Sequence, residues 1–285
     1  MKETDDSNWD LIIRPRHKWY QVDVAAIWQY RDLLMLLVRR DFVAVYKQTI
    51  LGPIWFFIQP IITSLTFTFI FGNLAHLSTD GNPAILFYLA GITLWTYFAD
   101  CITKTSTTFT SNAGVFGKVY FPRLIMPLSI LVSNLIKFVI QFLIFILTWL
   151  YFIFTTDAVQ PQWQYMWLLP MLVFAMAGLG LGFGIFISSL TTKYRDLTFL
   201  VGFGVQLLMY ASSVVLPISS MPSKIQFLML LNPLTSIIEA FKFIFLGSGY
   251  FDGIWLVYGF SFMTVLILFS VIIFNKVEKS FMDTV

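Results

Sequence analysis

Six stretches of this chain, residues 54–71, 84–102, 127–154, 167–190, 197–216 and 254–274, are apolar over close to the length of a bilayer crossing. A helix needs about 20 apolar residues to span the hydrocarbon layer, and few other structures are open to such a run. The composition agrees, with 58% of residues hydrophobic and 12% charged and a mean hydropathy of +0.79, outside the soluble range. Gly, Pro, Asn and Asp gather between the runs at 72–83, 155–162 and 247–253, as turns require. The expected fold is an all-α integral membrane protein of six transmembrane helices. Residues 1–53 form a cytoplasmic amino-terminal segment and 54–285 the membrane domain, which leaves no room for a soluble domain.

The basic residues set the orientation. Fifteen of the eighteen Lys and Arg fall before the first run, in the even-numbered connections or in the tail. The opposite connections hold only Lys224 and Lys242, and Lys137 lies within a run. Positive residues stay on the cytoplasmic side, so both termini are expected there. The first twenty residues carry Asp5, Asp6, Asp10, Arg14 and Arg16 without an apolar core, so no cleaved signal peptide is expected.

At Arg39 to Pro60 a charged approach turns abruptly apolar, with a break at Gly52-Pro53 and an interfacial ring at Trp55. Just upstream, Ile27, Tyr30, Leu34 and Leu37 recur at helical spacing. This is an amino-terminal interfacial helix lying in the inner headgroups, or one packed against the cytoplasmic part of the protein. Between the fifth and sixth runs, 217–253 is long and apolar but broken at Asn232-Pro233. It reads as two short re-entrant-type helices dipping into the outer leaflet; a seventh span would place Lys276 and Lys279 outside.

Polar side chains at membrane depth need a partner or water. Gln59, Thr63 and Thr66 in the first run, Asn134, Lys137 and Gln141 in the third, and Gln206, Tyr210 and Ser213 in the fifth each share one helical face. Together they wall a polar passage, or they hydrogen-bond between helices. Lys137 is the costly one and must snorkel or face water. Asp100 and Lys104, at i and i+4, are expected to pair with each other. The run GLGLGFG, Gly178 to Gly184, lies within an apolar run and marks close helix packing rather than a phosphate loop.

Several chemistries are excluded. There is no Walker sequence, no HExxH motif and no Ser, His and Asp constellation, so no catalytic residue is assigned. One cysteine, Cys101, and two distant histidines, His17 and His76, make neither a disulfide nor a metal site. No basic stripe offers a surface for nucleic acid. A membrane-embedded glycosyltransferase on a lipid carrier would need clustered carboxylates, and Asp100, Asp196, Glu239 and Asp252 are scattered. A membrane scaffold would have no use for Lys137.

Four segments carry a family likeness in a fixed order: YRDLLMLLVRRDFVAVYKQTILGPIWFFIQP (Tyr30 to Pro60), GKVYFPRLIMPLS (Gly117 to Ser129), YRD (Tyr194 to Asp196) and LNPLTSIIEAFKFIFLG (Leu231 to Gly247). With these, the chain resembles the membrane subunits of ABC-type polysaccharide exporters, the permeases that move lipid-linked O-antigen, capsule or teichoic-acid polymers. It departs at Ser212, Ser213 and Val214, where many relatives have a Ser-Pro-Val turn, and at Lys242, where relatives often have Arg. The resemblance implies a homodimer in the bacterial cytoplasmic (inner) membrane, with two copies of a cytoplasmic ATPase subunit holding ATP and magnesium. This chain itself would bind no cofactor. A lipid-linked polysaccharide would pass between the two permeases, among membrane lipids. The resemblance makes Lys118, Tyr120, Phe121, Pro122 and Arg123, with Tyr194, Arg195 and Asp196, the gate and coupling segment to the ATPase. It makes the short helices with Asn232, Pro233, Glu239 and Lys242 an outer gate. The alternative within transport is an exporter of small lipids or drugs.

Overall fold

A computed structural model describes residues 24–47, 52–116, 118–119 and 121–281. Two helices, α1 (Val24–Gln29) and α2 (Arg31–Lys47), precede a 3-10 turn at Gly52–Ile54 and α3 (Trp55–Phe67), which runs on as a π-helix over Thr68–Leu74. Then come α4 (Ala84–Thr105), α5 (Thr108–Phe116), α6 (Ile125–Thr155), α7 (Leu169–Thr191), α8 (Leu197–Tyr210), α9 (Ser223–Leu230), α10 (Pro233–Leu246) and α11 (Gly253–Phe281). The described residues contain no strand, and the all-α expectation holds.

Among the described residues, five helices are long and apolar enough to cross a membrane: Trp55–Leu74, Ala84–Thr105, Ile125–Thr155, Trp163–Thr191 and Gly253–Val277. The remaining expected run, 197–216, is not one continuous helix. Its helix stops at Tyr210 after 14 residues, about 21 Å, and the chain turns inward. Ser212 to Val215 are buried there. Gly91 makes room for them, because a Cβ at that position would lie 3.2 Å from the Val214 Cα.

The connection at 217–253 forms two short helices, as expected, with α9 and α10 bent at 104° to each other. Asn232 explains the corner. Its Oδ1 accepts from the Leu234 N–H at 3.1 Å, and its Nδ2 donates to the Ala211 carbonyl at 3.0 Å. Pro233 then opens α10, where a missing N–H costs nothing. At the far end Gly247 takes φ +77°, the left-handed close of a helix that favours glycine. Apart from Phe243, every residue of α10 is buried.

Depth is sorted by small residues. In α4, 78% of the apolar window is buried and in α7 61%, against 11% in the first span, so α4, α7 and α10 form the interior. The glycine run of α7 works on two sides. Cβ atoms at Gly180 and Gly184 would lie 2.7 Å from the Cys101 Cβ and 2.5 Å from the Thr105 Cβ, both on α4. Gly178 and Gly182 instead face Met263 and Leu266 of α11. The amino-terminal helix α2 packs against α6 and buries Leu37 and Val38, while its Met35 and Leu36, and Trp28 of α1, remain exposed. The packing of α2 matches the reading of a helix held against the rest of the protein.

Gly184→Ala should lower stability by about 2 kcal/mol through overpacking against Thr105, seen as a lower melting temperature in detergent. Gly204→Ala on α8, where nothing lies within 4 Å of the new methyl, should be neutral or gain up to about 1 kcal/mol of helix propensity.

Candidate functional site

The polar stripes of the apolar helices meet different fates. On α6, Asn134 and Gln141 are buried, and Lys137 reaches α4, where its Nζ donates to Asp100 Oδ2 at 2.6 Å. Lys104 donates to Asn134 Oδ1 at 2.9 Å. The expected pairing of Asp100 with Lys104 is therefore replaced by a crossed one. Both sit one turn apart on α4, and a charge pair between helices also satisfies the cation on α6, which a pair within α4 would leave alone. Phe56 of α3 adds a ring 5.7 Å from the Lys137 ammonium.

The first stripe is outward. Gln59 and Thr66 are exposed and Thr63 half-buried. The threonine hydroxyls donate to carbonyls of their own helix, Thr63 to Gln59 at 2.9 Å and Thr66 to Ile62 at 2.8 Å. The third stripe is divided. Gln206 and Tyr210 are exposed on α8, whereas Ser213 lies beyond the helix end and is fully buried. The structure thus joins Asn134 and Lys137 to α4 and buries Gln141, but brings neither the α3 nor the α8 stripe into that seam.

Helix α4 carries a signal that apolar run-counting passes over. Beyond residue 85, its residues that are not buried are Thr96, Ala99, Asp100, Thr103 and Lys104, which lie on one face. This face is polar or small throughout, so the most enclosed span shows an uncovered polar strip. Thr110 and Ser111 of α5 are exposed as well. A crevice of about 390 Å³ lined by Tyr97, Leu131, Leu135, Pro170, Val173 and Phe174 is by contrast apolar and offers a polar cargo nothing.

Below the strip, an aromatic cluster ties α5 to its neighbours. Phe109 stacks on Phe274 of α11 at 4.5 Å between ring centroids, and Phe116 packs against Phe121 at 5.7 Å. Thr191 at the end of α7 donates to the Ser106 carbonyl at 2.8 Å. In the proposed coupling segment, Phe121, Pro122 and Arg123 are buried, with the Arg123 guanidinium 5.4 Å from the centre of the Phe116 ring. Lys118, Tyr194, Arg195 and Asp196 are exposed, and Tyr120 lies outside the described residues. Of the two basic residues expected to meet acidic partners, only Lys118 is displayed at the surface.

At the opposite end, α10 holds Glu239 and Lys242 in the interior, 4.0 Å apart and each only 1% exposed. Glu239 Oε2 accepts from the Tyr250 N–H at 2.8 Å. The Lys242 ammonium donates to the Ser213 carbonyl and lies 3.6 Å from the centre of the Phe87 ring. Two further bonds close this end: Ser219 donates to Asp80 Oδ1 at 2.6 Å, and Asn82 donates to Ser248. The outer residues singled out in the sequence, Asn232, Pro233, Glu239 and Lys242, therefore fix one helix. Among the described residues no group of three or more His, Cys, Asp or Glu is placed to hold a metal ion.

A sequence model of the ABC-2 type transporter family matches residues 32–246, a segment that contains α4, α5 and α10 together. The chain belongs to the ABC-2 type transporter family. An O-antigen export system permease protein RfbA from Klebsiella pneumoniae is 26% identical over 253 residues, covering 88% of this chain and 94% of that protein. One from Myxococcus xanthus is 26% identical over 225 residues, 78% of this chain and 83% of its own length. This ABC-2 protein is thus a multi-pass membrane transport component. As an ABC-2 chain it has its polar strip on the buried span and its charged pairs at both ends of the core.

Lys242→Met should cost about 3–5 kcal/mol, because Glu239 is then left buried without a cation. The double replacement Glu239→Gln with Lys242→Met should recover about half of that loss; thermal unfolding of the three proteins in detergent checks it.

Proposed function

We propose that this chain is the membrane-spanning subunit of an ATP-driven exporter that carries a lipid-linked, O-antigen-like polysaccharide across the bacterial inner membrane. The passage is formed between two copies of the chain. The observation that carries this reading is the uncovered strip of Thr96, Asp100, Thr103 and Lys104 on the otherwise enclosed α4. A polar face is costly against lipid, so it belongs beside water or another chain. The exposed Gln59, Gln206 and Tyr210, unused inside the subunit, supply further polar wall for a two-fold assembly. The cargo class is supported by the names of the relatives.

Energy comes from elsewhere, since the sequence holds no nucleotide motif; two cytoplasmic ATPase subunits provide it. Both termini and α5 lie on their side of the membrane, α8 with its buried turn completes the sixth crossing, and α9 and α10 close the outer mouth. Closure of the ATPases presses on α5. Through Phe109 and Phe274 that push reaches α11, and through Ser106 and Thr191 it reaches α7, so the packed core moves between a shut and an open arrangement.

Cells lacking the chain should accumulate glycan in the cytoplasm, and the intact chain should restore its export; surface glycan unchanged by deletion would contradict the reading. In the reconstituted complex with its ATPase, Phe109→Leu should lower export about fivefold while ATP turnover persists, the scale of a coupling change near 1 kcal/mol. Export and hydrolysis falling together would contradict the route through α5.

A further inference from the structure

Helices α6 and α7 follow one another in the chain, yet they pack far less with each other than each packs along α4. Between them opens the apolar crevice of about 390 Å³. Its floor is Tyr97 of α4 and Ala177 of α7, 3% and 6% exposed, and its lips are the exposed Leu135 of α6 and Phe174 of α7. Leu131 and Val173 add to the walls, and among the described residues no charged side chain lines it. The crevice lies across α6 from the polar strip. Lys137 is directed to α4 and α3, where it meets Asp100 and the Phe56 ring, whereas Leu131 and Leu135 line the side toward α7. It therefore stands outside the passage.

Depth and size select the occupant. The walls belong to three helices that cross the bilayer, and water needs polar partners that an apolar crevice does not supply. A helix is about 10 Å across, so about one turn of it would use up the 390 Å³. The same volume equals about thirteen times the share of one water molecule in the liquid. A methylene group takes nearly the space of a water, so the crevice matches one acyl chain.

We propose that the crevice between α6 and α7 holds one acyl chain of a membrane phospholipid as a resident part of the folded subunit. A lipid tail on a convex helix face touches protein on one side only; here three helices wall it. Dispersion contact is what holds apolar partners together in a membrane, where no hydrophobic drive separates protein from lipid. The acyl chain supplies the contact that α6 and α7 do not make directly, and so keeps α6 seated on α4, where Lys137 meets Asp100. The site requires only that this chain spans a bilayer, and it stands or falls apart from the export reading.

The test is native mass spectrometry of the full chain, purified in detergent from bacterial membranes and followed through delipidation. The intact chain should retain a phospholipid after the surrounding lipid has gone. Stripping it should lower the melting temperature by about 5 °C, and added phosphatidylethanolamine should restore it. Val173→Phe and Ala177→Leu, made separately, put a side chain where the acyl chain lies. Each should lose the retained lipid, and its melting temperature should no longer respond to added lipid. Leu147→Phe, on the exposed apolar side of α6, should behave as the intact chain does. Retention of no phospholipid by the intact chain, or of a polyprenyl lipid or detergent in its place, overturns the proposal without recourse to any variant. Equal retention by the intact chain and both crevice variants overturns it as well. Retention lost only in the crevice variants, with glycan export independent of the chain, leaves the site standing and removes the export reading.

Discussion

The contact between Lys137 and Asp100 is where the burial of charge in a membrane protein becomes a constraint on architecture. A cation twelve residues into a 31-residue apolar helix has to be met. Only a neighbouring helix or water can meet it. Here α4 does so with a carboxylate, which fixes the rotation of α6 and turns Asn134 and Gln141 inward with Lys137. The same constraint acts at the other end of the core. Glu239 and Lys242 confine α10 through the Tyr250 N–H and the Ser213 carbonyl, so the short helix is pinned to two loops as well as packed.

Between these pinned points the helices are spaced by glycine. Gly180 and Gly184 let α7 lie against α4, and Gly178 and Gly182 let α11 lie against α7. The tight contacts leave one face of α4 unfilled, and that face is polar. An enclosed span with a polar opening, an aromatic tie from α5 to α11, a hydrogen bond from α7 to the turn before α5, and a bonded cap at the α10 end form a continuous arrangement from one side to the other.

Much of this was legible in the sequence, for identifiable reasons. Apolar run length located the five long spans, since hydrocarbon thickness leaves little freedom. Asn232-Pro233 announced a corner because a capping side chain and a missing N–H are local chemistry. The i, i+4 glycines announced close contact, though not its two directions. What was hidden depends on which helix meets which. Asp100 was matched with Lys104 because they are neighbours along one helix, whereas the stronger demand came from Lys137 across the seam. Ser213 shared a helical face with Tyr210 only while the helix was assumed to continue beyond it. The strip from Thr96 to Lys104 is visible as polarity in the sequence, but its meaning appears only once the remainder of α4 is seen to be covered.

The central claim is that this strip faces water. The chain has a single cysteine, Cys101, which is buried, so a Cys101→Ala background allows thiols to be placed one at a time. Cysteine at position 103, assayed in membranes with a charged maleimide, should react readily, while cysteine at position 147 on the exposed apolar side of α6 should react only with a lipophilic reagent. Position 103 behaving like position 147 would place lipid against the strip and contradict the account.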